Sequence, residues 1–356
     1  MKKIVIIGSH GLDGKYGGWD QLVNNLAQKH NDSYELYIIN PAENSLTKSS
    51  SVNVKIINSK ISGFGIKGLF LDYFYTFKLC LKADAFLFLG CKGFPAFLVA
   101  KLLNKHIKSF VNVGGIEWLR PQYNFFIKMY LKWSFKLTIS YADSVIIDNE
   151  FYKTFAQKRN YDLYVIPYGG YIDSSLISSD LILNEFPFLN KDYYLSISRS
   201  IPDNKIKELC ETFVLHNSKD LVLVSNFSST EYGKSVYDLF CNVPNITLID
   251  GLYDKKKLDL VRRKCKAYIH THTLCGSAPS LIEMVVCEKP IISIDVPQNR
   301  YTLDGEAVYF KNFEDLSKII NLNVKIKKCS KNLINKYSWD RVITDYDNCM
   351  LEKLVN

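Results

Sequence analysis

The densest collection of chemically useful side chains is the segment His270-Thr271-His272-Thr273-Leu274-Cys275-Gly276-Ser277-Ala278-Pro279-Ser280-Leu281-Ile282-Glu283. A short apolar run ending at His270 reads as a strand that delivers the chain into Gly276 and Ser277. Pro279 suits the first turn of a helix, which places Glu283 about one turn in. Free amides at that helix end can hold a phosphate, and a carboxylate there can hold the hydroxyls of a ribose. His270 and His272 point the same way if the strand persists, a geometry open to a metal pair. No third ligand stands nearby, so a structural or sugar-contacting role is the simpler reading.

A second loop, Ser198-Arg199-Ser200-Ile201-Pro202-Asp203-Asn204-Lys205, opens another helix with two cations. Arg binds paired oxygens bidentately and Lys supplies a movable point charge, a combination suited to a diphosphate. In the first half of the chain, glycines at 8, 11, 14, 17 and 18 follow the first apolar run and precede a helical pattern, an arrangement open to phosphate or sugar oxygens. A dinucleotide oxidoreductase would require Gly-x-Gly-x-x-Gly there and an acidic residue closing the second strand, which instead ends at Asn40-Pro41. That class is disfavoured. Glu117 and Arg120 follow a later strand end, where the carboxylate can bind sugar hydroxyls or accept a proton. Asp345-Tyr346-Asp347 has the Asp-x-Asp form of some cation sites, but two residues apart on a helix do not face one ligand, so it reads as a solvated helix face.

These loops must be positioned by the elements between them. The chain has 356 residues, enough for two domains with their own cores, and its 47% hydrophobic and 23% charged residues mark a globular protein. The net charge of +9 favours anionic partners such as phosphorylated ligands or anionic lipid. Nucleic acid is not expected, because the basic residues are dispersed and no recognition motif occurs. Nine scattered cysteines without a Cys-x-x-Cys spacing, and an opening apolar run too short for a signal peptide, fit a reducing cytoplasm. The apolar stretch from Phe64 to Leu103 is interrupted by seven charges, from Lys67 to Lys101, so no spanning helix is expected.

Short apolar runs alternate with helix-length amphipathic segments throughout, the pattern of an α/β protein with parallel sheets. Strands are expected at 3–7, 36–40, 52–57, 85–89, 109–113, 144–147 and 164–166, with a long helix near 122–142. A second series falls at 193–198, 221–225, 246–249, 267–270, 291–294 and 308–310. This gives a first domain over 1–170, a Ser-rich linker over 171–190, a second domain over 191–336, and a last helix over 337–356 that starts near Ser338. Two such halves imply a cleft between them. In the segment from Tyr123 to Lys136, Lys128, Lys132 and Lys136 share one helix face among aromatics, which suits an anionic membrane surface.

Taken together, Tyr16-Gly17-Gly18, Gly115-Ile116-Glu117-Trp118 with Arg120, Pro167-Tyr168-Gly169, Arg199 with Pro202-Asp203-Asn204, Tyr268-Ile269-His270, Pro279-Ser280-Leu281-Ile282-Glu283 and Asn299-Arg300 resemble, in this order, the bacterial retaining rhamnosyltransferases. The resemblance covers almost the whole chain. It implies the GT-B fold, two Rossmann-like domains facing a central cleft with the C-terminal helix returning to the first. It also implies transfer of rhamnose, from dTDP-β-L-rhamnose, to an undecaprenyl-diphosphate-linked saccharide in surface polysaccharide assembly, with the enzyme in the cytoplasm or on the inner membrane face.

By the same resemblance the second domain binds the donor through Gly276, Ser277, Pro279, Ser280, Leu281, Glu283, Asn299, Arg300 and His270. Arg199 and Lys205 meet the diphosphate, with Glu117 as the further catalytic group. Tyr16, Gly17, Gly18 and Arg120 form an acceptor or phosphate loop, and no metal or other cofactor is expected. One departure stands out. The wider superfamily carries two glutamates separated by seven residues, and the position eight before Glu283 is Cys275. A different nucleotide-sugar donor, or a sugar-nucleotide-binding module without catalysis, therefore stays open.

Overall fold

A computed structural model describes residues 1–14, 17–44, 52–120, 123–156, 162–171, 185–322, 324 and 326–355. Tyr16, and most of the Ser-rich stretch expected as a linker, lie outside the described residues. The chain divides into two compact units, Met1–Tyr168 with Trp339–Asn356, and Gly169–Ser338.

The first unit holds a seven-stranded parallel sheet in the order β3-β2-β1-β4-β5-β6-β7. Its strands are β1 (Lys2–Ile7), β2 (Tyr34–Asn40), β3 (Val54–Asn58), β4 (Ala85–Leu89), β5 (Lys108–Asn112), β6 (Ser144–Ile147) and β7 (Asp162–Val165). Successive side chains of a strand point to opposite faces, and β1 shows the consequence. Val5 and Ile7 pack with α2 (Gly65–Leu79), α3 (Phe94–Leu103) and α4 (Phe125–Tyr141). Ile4 and Ile6 pack with α1 (Gly18–Lys29) and with the last helix, α12 (Trp339–Val355). Burial on both faces explains why these strands read as unbroken apolar runs. The helix expected near 122–142 begins at Phe125, where the Asn124 side chain accepts from the Ile127 amide and caps it; Gln122 lies outside the described residues.

The last helix buries Trp339, Ile343, Tyr346 and Met350 at helical spacing against the first sheet. Asp347 lies on this docked side, so reading it as solvated is corrected here. Its carboxylate accepts from the Tyr34 hydroxyl and from the Asn31 amide, while Asp345 pairs with Arg341 along the helix. Burial, then the nearby hydrogen bonds acting against it, leaves Asp347 with a raised pKa. Asp72, one of the charges that interrupt the long apolar stretch, is likewise buried, facing Lys92 at 3.3 Å.

The second unit holds a six-stranded parallel sheet in the order β10-β9-β8-β11-β12-β13. These are β8 (Tyr193–Ile197), β9 (Asp220–Ser225), β10 (Ile246–Asp250), β11 (Ala267–His270), β12 (Ile291–Ile294) and β13 (Val308–Phe310). Helices α5 (Ile206–Val214), α6 (Glu231–Phe240) and α10 (Phe313–Asn321) cover one face through Leu209, Phe213, Val236 and Leu316. The remaining helices are α7 (Lys255–Lys264), α8 (Pro279–Val286), α9 (Pro297–Leu303) and α11 (Lys331–Lys336).

Candidate functional site

In each sheet the strand order reverses once, between β1 and β4 in the first and between β8 and β11 in the second. At such a point the connections leave toward opposite faces, so the carboxyl ends of the two strands open a crevice in which ligands of α/β sheets sit. The singled-out loops after β1, β8 and β11 lie at these two places, whereas the one carrying Glu117 and Arg120 follows β5, the next strand over from the first reversal.

In the second unit the loop after β8 carries Arg199 and Lys205, and the loop after the adjacent β11 runs from Thr271 to the start of α8. The two loops are tied to each other. Thr271 Oγ1 donates to the Asn204 carbonyl, and Thr273 Oγ1 to the Asp203 carbonyl at 3.2 Å. The Tyr268 hydroxyl sits between the Ile197 carbonyl, at 3.1 Å, and Ser280 Oγ, at 3.2 Å. Asn204 Nδ2 donates to the Arg199 carbonyl, fixing the turn on which the guanidinium stands. Arg199 itself is exposed and makes no ion pair among the described residues. Lys205 is held in the left-handed region, at φ +54°, a strained conformation for a side chain with Cβ, and pairs with Glu208 at 3.2 Å.

Pro279 is the first residue of α8, and Gly276 and Ser277 are buried just ahead of it. Ser280 is half-buried, but Leu281 is fully buried and its amide already donates to the Ala278 carbonyl, so Leu281 packs the core. Glu283 is buried as well. Its carboxylate accepts from Arg262 on α7, whose guanidinium also donates to Asp259 at 2.8 Å. Burial pushes the Glu283 carboxyl up and Arg262 pulls it back; for Arg262, burial is outweighed by Glu283 and Asp259, which hold it firmly protonated. The sequence reading missed Arg262. The signal was present as Asp259 and Arg262 three apart on the side of α7 that also carries buried Val261.

His270 is fully buried, with both ring nitrogens lacking a hydrogen-bond partner among the described residues, and its ring centroid lies 4.3 Å from that of His272. Burial, then the second imidazole, drive its pKa well below the ordinary histidine value. No group of three His, Cys, Asp or Glu arranged for a metal occurs among the described residues. The unfolded chain binds a proton at His270 near pH ~6.5 and the native one does not, so stability is present above that pH and is lost below it. The slope is about 1.4 kcal/mol per pH unit. In His270→Phe, unfolding measured from about pH 7 to about pH 5 should show an acid loss shallower by about that slope; an unchanged slope would refute the assignment.

Asn299 is buried and bridges the His272 and Ile294 carbonyls through Nδ2, bracing the loop from behind. Arg300 is exposed and already engaged, bidentate to Asp295 and stacked on Tyr309 at 4.3 Å.

In the first unit, the glycine loop after β1 closes around a carboxylate of its own. Asp20 is buried and accepts from the His10 amide at 3.0 Å, and a side chain at Gly14 would meet its carboxyl group. Gly17 caps α1 and Gly18 begins it. Gly90 and Gly114, both with positive φ, let the Trp19 ring lie over the ends of β4 and β5, where a Cβ would meet it within 2.9 Å. Glu117, after β5, pairs with Arg120 at 3.2 Å and accepts from the Tyr123 hydroxyl at 3.3 Å. Both residues remain partly accessible.

Residues 1–171 match the family model described as a domain of unknown function, DUF1972. No curated protein is significantly similar to the chain in sequence. In fold the chain is similar to sucrose-phosphate synthase from Thermosynechococcus elongatus, with a TM-score of 0.76, 12% identity and 99% of each chain covered. It is similar also to HepE of Anabaena, solved in complex with UDP and glucose, with a TM-score of 0.72, 14% identity and 100% of each chain covered. A third such structure is α,α-trehalose 6-phosphate synthase from Burkholderia multivorans, with a TM-score of 0.69, 9% identity, and 100% of this chain and 98% of that one covered. The likeness is one of fold: the α/β architecture is that of the GT-B class, as the residue patterns imply.

Proposed function

We propose that the chain is a retaining, nucleotide-sugar-dependent glycosyltransferase whose second unit binds the donor and whose first unit binds the acceptor. One observation carries this reading. Two loops at the reversal point of the second sheet are tied to each other through Thr273 and Asp203, one carrying Arg199 and Lys205 and the other leading into the N-terminus of α8, which holds Glu283. That combination suits a sugar diphosphate: positive charge and a helix N-terminus for the phosphates, a carboxylate for ribose hydroxyls.

The chemistry that follows is front-face substitution. As the bond from C1 to the diphosphate breaks, C1 gains oxocarbenium character, and the departing phosphate oxygen takes the proton of the attacking acceptor hydroxyl. Negative charge accumulates on the diphosphate, where Arg199, Lys205 and the amides around Gly276 to Ser280 stabilise it. No protein nucleophile takes part. Glu117, steadied by Arg120, orients hydroxyls of the reacting sugars.

The donor proposed is dTDP-β-L-rhamnose and the acceptor a saccharide carried on undecaprenyl diphosphate, as the motif order implies; such an acceptor places the enzyme at the inner face of the cytoplasmic membrane. HepE, with the same fold, was solved with UDP and glucose, which favours UDP-glucose as the second donor to test. Thermal unfolding in the presence of dTDP-rhamnose, UDP-glucose and the free nucleotides should show stabilisation by the true donor of about 2.7 kcal/mol at a hundredfold excess over its dissociation constant. Stabilisation by UDP-glucose alone would replace the rhamnose donor, and no response to any nucleotide sugar would end the donor assignment. Release of labelled sugar onto a lipid-linked acceptor then separates an enzyme from a binding module.

A further inference from the structure

The helices α2, α3 and α4 bury one side against the first sheet, yet their outer side is also apolar. On α2, Ile66, Phe70, Phe74 and Phe77 are all exposed, Ile66 at 87%, and they recur every three or four residues as a single stripe. On α4, Phe126 at 79%, Met129 and Trp133 form a second exposed stripe at the same spacing. Val99 and Leu102 expose a third on α3, which packs between the other two. A hydrogen bond of 2.9 Å between the Tyr73 and Tyr130 hydroxyls links α2 to α4, so the stripes belong to one surface. Exposed apolar stripes on three adjacent helices require a cover.

The charges on this surface identify the cover. The three helices carry Lys67, Lys78, Lys128, Lys132 and Lys136, besides Lys101, which pairs with Asp143 at 3.2 Å, and their one carboxylate, Asp72, is buried toward the sheet. A second copy of the chain would set this patch against its own image, lysine facing lysine, because a two-fold interface uses the same surface twice. An anionic bilayer answers both features. Its headgroups attract the lysines, and its interfacial zone takes up the Phe and Trp rings. No helix among the described residues is long and apolar enough to cross a membrane, so the contact is a lying-on rather than a spanning one.

We infer that the outer faces of α2, α3 and α4 together form a docking surface for an anionic phospholipid bilayer, wider than the single helix that the sequence suggested. The inference rests on the acceptor half of the function proposed above and is independent of the donor, which is read separately by thermal unfolding.

The test is sedimentation of the full chain with vesicles of phosphatidylcholine alone or mixed with phosphatidylglycerol, at low salt. The wild type should partition onto the mixed vesicles and much less onto the neutral ones. Lys128→Gln, Lys132→Gln and Lys136→Gln combined should weaken partitioning by about 100-fold, roughly five-fold for each charge. Ile66→Ser with Phe70→Ser should weaken it while leaving the melting temperature and donor stabilisation unchanged, since both side chains are exposed. Brominated acyl chains should quench Trp133 fluorescence, and that component should vanish in Trp133→Phe. Wild type that stays in the supernatant, substitutions on α2 without effect, or absence of Trp133 quenching would each overturn the inference. A dimer abolished by these same substitutions, with no vesicle binding, would hand the surface to a second copy.

Discussion

Replacing Arg199 with alanine is expected to lower turnover by about 10²-fold or more while the protein keeps its melting temperature. The two halves of this outcome have separate causes. The guanidinium is exposed and makes no ion pair among the described residues, and the contacts that shape its turn, from Asn204 Nδ2 and the Ile201 amide, go to the Arg199 carbonyl, which alanine retains. Folding should not register the change. The departing diphosphate, however, would lose a preorganised charge at the moment its own charge develops, and the loss should fall on kcat more than on KM. Initial rates of sugar transfer, with thermal unfolding as the control, decide it. Wild-type kcat in the variant would remove Arg199 from the chemistry.

Arg262→Ala should produce the opposite pattern, a loss of stability first and of donor binding as its result. Arg262 lies between Asp259 and Glu283, all three buried. Removing the cation leaves the Glu283 carboxylate in a low-dielectric interior without the guanidinium that pairs with it, at a cost of about 3–5 kcal/mol. For a unit of this size that corresponds to a fall in melting temperature on the order of 10 °C. The pH dependence gives the mechanism away. The Glu283 carboxylate, already raised by burial and now without Arg262 to oppose it, binds a proton more readily in the folded chain than in the unfolded one, so the deficit should shrink on acidification from about pH 8 toward pH 5. Adding Glu283→Gln should restore part of the stability without restoring donor affinity. A deficit independent of pH would mean that packing, and not charge, is what Arg262 supplies.

The contrast between these two arginines shows what the chain makes legible. Arg199 follows a strand end and stands in a loop whose composition speaks for itself. The strands could be read because burial on both faces makes each a short unbroken apolar run; every run that was expected is a strand, with ends displaced by one or two residues where a turn or an edge softens the pattern, as at Val54 and Asp162. For Arg262 the spacing from Asp259 marks only a pair along α7; its partner Glu283 lies 21 positions away on another helix, a pairing that only tertiary packing creates. Asp347 and Asp72 were obscured for the same reason, since a carboxylate in a helical pattern looks solvated until the element packed against it is known. The apolar outer stripes of α2 and α3 carry the reverse lesson: apolar residues all round a helix look like core in a sequence, and here one side of each is bare.

The last helix carries Trp339, Ile343, Tyr346 and Met350 into the core of the unit built from the first 168 residues. On a ribosome, those first residues therefore emerge with one face of their sheet lacking its final layer, and must wait through the synthesis of the entire second unit for it. Until then the first unit offers a sticky apolar trough to any chaperone within reach, whereas the second unit, contiguous in the chain, can close on its own. Nascent chains halted before Trp339 should thus present a finished rear half joined to a front half still open to proteases.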